Sequence, residues 1–206
     1  ELGHGVHQYL AAKQGLFNSN TPLTLAETAS VFGEMLTFKF LLSKENNVLN
    51  KKALLANKVE DMLNTVVRQI AFYEFEKKIH YERKKKELSL EKICNIWIDI
   101  QKKSLGPSIE FEEEYKYYWT YIPHFIHSPF YVYAYAFGDC LVNSLYNLYE
   151  KGFRDFESKY ITLLEAGGSL HYKELLSPFK LNPAKTNFWS KGLNLIDDLI
   201  DQLEDL

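Results

Sequence analysis

Glu1-Leu2-Gly3-His4-Gly5-Val6-His7-Gln8 opens the sequence, and the reading of the fold turns on it. A His placed ahead of Glu1 makes the stretch H-E-x-x-H. In that helical pattern two His one turn apart share a face and hold zinc, and the Glu between them serves as general base. The sequence supplies Glu1 and His4 and begins without Met, so it is expected to start inside a longer chain. On its own, E-x-x-H also describes an exposed helix face that happens to carry a Glu and a His, so the reading needs support from further along the chain.

Two later stretches supply it. Leu25-Ala26-Glu27-Thr28-Ala29-Ser30-Val31-Phe32-Gly33-Glu34 puts a Glu at the separation from the opening motif where zinc peptidases with a Glu ligand carry it, on a second helix. Ile122-Pro123-His124-Phe125-Ile126-His127-Ser128-Pro129-Phe130-Tyr131-Val132-Tyr133-Ala134-Tyr135 adds a His followed by clustered Tyr. With Val67-Arg68-Gln69-Ile70-Ala71-Phe72 between them and Ala166-Gly167-Gly168-Ser169 near the end, the chain resembles the M3 family of zinc metallopeptidases, and within it oligoendopeptidase F. The motifs occur in the family's order from one end of the sequence to the other.

That resemblance implies an all-α, multi-helical, zincin-like catalytic domain, of which residues 1–206 are the C-terminal helical portion. The N-terminal part and the first His of the motif are expected outside the sequence. It also implies zinc held by His4 and Glu27, with Glu1 as general base. His124, Tyr131 and Tyr135 are expected to donate hydrogen bonds to the oxyanion, the two Tyr sharing one helix face through their spacing of four. Glu34, two turns beyond Glu27, is expected to orient a ligand His, and His7 either joins it there or is a packed ring. The implied activity is hydrolysis of short oligopeptides in an enclosed channel, whose opposite wall the absent N-terminal part would build. Residues 1–206 alone hold two of three protein ligands and are expected to be inactive and to bind Zn2+ weakly.

Each residue has a plainer reading. Thr24-Leu25-Ala26-Glu27 matches a capping box, in which Glu only returns a hydrogen bond to a helix N-terminus. Arg68, in an otherwise apolar and acidic helix, is expected to pair with a buried carboxylate. A chain that bound no metal would be a helical fragment, or a homologue kept as a peptide-binding or interaction module.

Composition narrows the partners. At 206 residues, 46% apolar and 25% charged, the chain is of globular type with material for one good core or two small ones. A net charge of −3 argues against nucleic acid, which calls for a basic surface. Cys94 and Cys140 are too few and too far apart for a disulfide framework and read as buried thiols of a cytoplasmic protein. No run nears the roughly eighteen apolar residues of a membrane span, so no membrane partner is expected.

Apolar spacing predicts helices over 2–13, 24–43, 50–87, 90–104, 130–150 and 153–165. Ser89 caps the fourth of these, and Gly106-Pro107 breaks it. Two more helices follow, ending in an acidic amphipathic tail over 193–206, and no strand is expected.

Overall fold

The computed structural model describes residues 2–206; Glu1, the expected base, lies outside the described residues. Among the described residues ten α-helices follow in chain order: α1 (Leu2–Ala11), α2 (Thr28–Lys44), α3 (Val48–Leu63), α4 (Gln69–Arg83), α5 (Leu90–Leu105), α6 (His124–His127), α7 (Tyr133–Glu150), α8 (Phe156–Glu165), α9 (Tyr172–Leu176) and α10 (Thr186–Glu204). Among the described residues there is no strand, so the all-α expectation holds.

Local chemistry sets the ends. Ser89 accepts the Lys92 N–H at 3.3 Å to cap α5, and Gly106 closes that helix at a φ of 66°, which suits a residue without Cβ. Asn47 caps α3 in the same way, accepting the N–H groups of Leu49 and Asn50. The single helix predicted over 50–87 is instead α3 and α4 joined by a π-turn, Asn64–Arg68. Such a turn inserts one residue without any Gly or Pro to announce it. The second predicted helix starts four residues late, because a 3₁₀ turn, Leu23–Leu25, comes first and the Thr28 hydroxyl donates to the Leu25 carbonyl at 2.7 Å.

The chain forms two compact units, one made of the residues up to Met62 with Phe137–Leu206, the other of Leu63–Ala136. In the first, α1 packs against α2 and α8. A Cβ on Gly3 would collide with the backbone of Ala29 and Ser30, so glycine there is what lets the two helix backbones touch. Behind the crossing, Phe32 sits among the rings of Tyr146, Phe156 and Tyr160, with centroids 4.7–5.8 Å away. In the second unit, α4 and α5 enclose Trp97, which is fully buried against Phe72 and Phe75 and donates its indole N–H to the Tyr115 carbonyl at 3.0 Å. Buried rings thus give the smaller unit its own core.

Candidate active site

His4 leaves α1 near its start, and Glu27 stands immediately before α2. The close crossing at Gly3 brings them together: Nε2 of His4 lies 3.4 Å from Oε2 of Glu27, with side chains 35% and 31% exposed. Two ligands bound at about 2.0–2.2 Å with a tetrahedral angle between them are roughly 3.3–3.6 Å apart, so the observed spacing fits two corners of a zinc site. One nitrogen and one carboxylate oxygen are also the donors that zinc takes in peptidases. Among the described residues no cluster of three His, Cys, Asp or Glu is present.

Glu27 is left open for this use by its surroundings. Thr24 lies inside a 3₁₀ turn that Pro22 precedes, and Glu27 itself stands at the N-cap of α2 with no cap hydrogen bond from its side chain, so the capping box is not formed. Gly138 packs beside Glu27: a Cβ there would stand 3.4 Å from the Glu27 Cβ, at van der Waals contact. The adjacent backbone is pinned where the Tyr160 hydroxyl donates to the Thr28 carbonyl at 2.9 Å.

His7, one turn past His4, is 3% exposed and shares a hydrogen bond of 3.3 Å with the Thr21 hydroxyl. Burial holds its pKa below the usual imidazole value, with His4 acting in the same direction and the Ala26 backbone opposing. The ring therefore ties α1 to the loop that leads to Glu27. Glu34 pairs with Lys58, whose side chain is buried although that of Glu34 is 55% exposed. Lys58 also acts on buried Asp139, whose pKa burial pushes up to about 6 against the pull of Lys58 and of Asn143.

In the second unit His124, Tyr131 and Tyr135 form one group. The Tyr135 hydroxyl and His124 Nε2 share a hydrogen bond of 3.3 Å, and the Tyr131 ring lies 5.5 Å from His124 and 5.2 Å from Tyr135. The shared helix face predicted for the two Tyr is not the cause. Tyr131 precedes α7, in a turn where Phe130 takes a φ of 60°, a conformation that costs a bulky residue roughly 1–3 kcal/mol. Glu76 holds that turn: it is 2% exposed and its Oε1 accepts the Phe130 N–H at 2.6 Å. Tyr133 turns away to meet Tyr73 at 5.8 Å. Arg68 has no carboxylate partner among the described residues; its guanidinium lies 5.3 Å from the Phe72 ring and 6.0 Å from that of Tyr118.

Sequence reasoning missed four of these supports: Gly3, Gly138, Thr21 and Glu76. A glycine inside a helical pattern is a sign of close backbone approach, so Gly3 could have been found. Thr21 and Glu76 carry no such sign. The Ala166-Gly167-Gly168-Ser169 stretch braces the loop before α2, where the Gly168 N–H donates to the Asn18 carbonyl at 2.8 Å.

The model of peptidase family M3 matches residues 1–195. An oligoendopeptidase F homolog of Borreliella burgdorferi is 31% identical over 206 residues, covering 99% of this chain and 35% of its own. Oligopeptidase PepF of Bacillus subtilis is 29% identical over 208 residues, 31% of its length. The chain therefore spans about a third of the length of these relatives. Among solved structures, oligoendopeptidase-F from Enterococcus faecium superposes with a TM-score of 0.77 at 26% identity, over 98% of this chain and 38% of that one. With the family's pattern matched over nearly the whole sequence, the chain belongs to peptidase family M3.

Proposed function

We propose that residues 1–206 are the C-terminal catalytic portion of a cytoplasmic zinc metalloendopeptidase that cleaves short oligopeptides in an enclosed channel. The observation that carries this is the His4–Glu27 spacing of 3.4 Å, which the donor set and bond lengths of zinc account for. The first His of H-E-x-x-H, one position ahead of Glu1, is the third ligand, and the remainder of the full-length protein closes the channel. Relatives named oligoendopeptidase F and oligopeptidase support a peptide substrate. Buried, unpaired Cys94 and Cys140 support a reducing compartment, and no helix among the described residues is long and apolar enough to cross a membrane.

Bound there, zinc supplies Lewis-acid polarisation of the attacking water and the scissile carbonyl. Glu1 takes the proton of that water and delivers it to the leaving amine. His124 donates to the oxyanion, a role worth roughly 3–4 kcal/mol per donor in a closed site. The Tyr135 hydroxyl, donating to His124 Nε2, and the Tyr131 ring against it fix the imidazole so that its other ring nitrogen carries the donated proton, and the Tyr131 hydroxyl is a further donor. Glu34, paired with Lys58, orients a ligand His.

In the full-length protein a chelator should abolish cleavage of a quenched fluorescent peptide, and zinc should restore it. Glu1→Gln should lower turnover by about 10²–10⁴ with zinc retained. Chelator-resistant cleavage, or near-normal turnover in the Gln variant, would overturn the reading.

A further inference from the structure

A cavity of about 430 Å³ opens within the second unit, beside His124 and Tyr135. From the π-turn and α4 it is lined by Thr65, Arg68, Gln69 and Phe72, with the Arg68 guanidinium over the Phe72 ring. Ile122 and Pro123 add apolar lining. Among the described residues no Asp or Glu lines the cavity.

The chemistry of Arg68 decides what the cavity takes. Its guanidinium lies against the faces of Phe72 and Tyr118, contacts that use the charge but none of the five N–H donors. No described carboxylate pairs with it, and it is half-buried. Facing aromatic rings, a planar fork of donors is held in one orientation, which is the arrangement that recognises a carboxylate in bidentate fashion. Thr65 and Gln69 add a hydroxyl and an amide for peptide groups, and the apolar wall suits a side chain next to the charge. Among the described residues Arg68 is the one Lys or Arg that lines the cavity.

We infer that Arg68 is a specificity-determining residue, binding a carboxylate of the peptide substrate: its free C-terminus or an acidic side chain. The inference rests on the peptidase reading, since His124 and Tyr135 bound the same cavity.

The test is binding of three peptides to the full-length Glu1→Gln protein by calorimetry, so that turnover does not enter. One peptide has a free C-terminus, one is its amide, and the third is the amide with a Glu near its C-terminus. The free acid, or both it and the Glu-bearing amide, should bind at least about tenfold more tightly than the plain amide, the scale of one charge-assisted pair. A response to the free acid alone assigns the C-terminus, and equal tightness of the Glu-bearing amide extends the site to side chains. Adding Arg68→Gln should remove the preference, and Arg68→Lys should restore part of it. Equal affinity for all three peptides overturns the proposal, as does a preference that survives Arg68→Gln. If the Arg68 variants do not fold, the three-peptide comparison on the Arg68 protein decides alone. Hydrolysis by the wild-type protein reads the peptidase assignment separately: cleavage without carboxylate preference refutes the subsite only, and carboxylate preference without cleavage refutes the assignment only.

Discussion

The first unit sets its functional side chains by how closely two backbones approach, and the second by how rings stack. His4 and Glu27 face each other because Gly3 lets α1 lie on the Ala29–Ser30 backbone. His124 is held by the rings of Tyr131 and Tyr135, over a core built on Trp97. A backbone crossing is rigid and accepts no added atom, as the metal-ligand role proposed for His4 and Glu27 requires. Stacked rings tolerate small shifts, as the oxyanion-donor role proposed for His124 allows.

The contrast can be broken at several places. In the second unit, His124→Ala should lower kcat by about 10²–10³ and leave the zinc content of the full-length protein unchanged, with Tyr131→Phe and Tyr135→Phe doing less. Loss of metal in the His124 variant would make it a ligand and erase the division of labour.

In the first unit, Asp139 provides a test through pH. Its folded pKa of about 6 lies above the ordinary 3.8, so the folded protein favours the protonated carboxyl. The stability it contributes is complete below about pH 4 and is lost as pH rises through about 6, roughly 3 kcal/mol in all. Asp139→Asn should flatten that part of the profile when urea unfolding is compared between about pH 4 and pH 7. An unchanged slope would mean the charged form is better solvated inside than its burial implies.

The sharpest contrast in the first unit lies within one helix. Gly3→Ala should destabilise by about 1–3 kcal/mol through overpacking and weaken zinc binding. Gly5→Ala, where a Cβ meets nothing within 4 Å, should be neutral or stabilising by up to about 1 kcal/mol. Thermal unfolding of both variants reads the sign, and equal effects would remove the crossing as the cause of the His4–Glu27 geometry.

Much of this was legible in the sequence, because apolar periodicity and caps are local. Ser89 before α5 and Gly106 after it stand where their chemistry predicts. The His4–Glu27 pair was legible only because the opening stretch and the Glu27 helix were read together, since Glu27 in isolation looks like a cap. What escaped was set by contacts distant in sequence. The π-turn at Asn64–Arg68 has no compositional mark, and the left-handed Phe130 is fixed by Glu76, 54 residues earlier. Arg68 was expected to meet a carboxylate because a buried charge needs a partner, and its partners are rings instead.

Zinc content of the purified full-length protein, wild type beside Glu27→Ala and Thr24→Ala, tests most directly whether the His4–Glu27 pair is a metal site. The wild type and Thr24→Ala should each carry one zinc per chain, because no capping box forms at Glu27, and Glu27→Ala should carry none. Stoichiometric zinc in a folded Glu27→Ala protein would contradict the assignment.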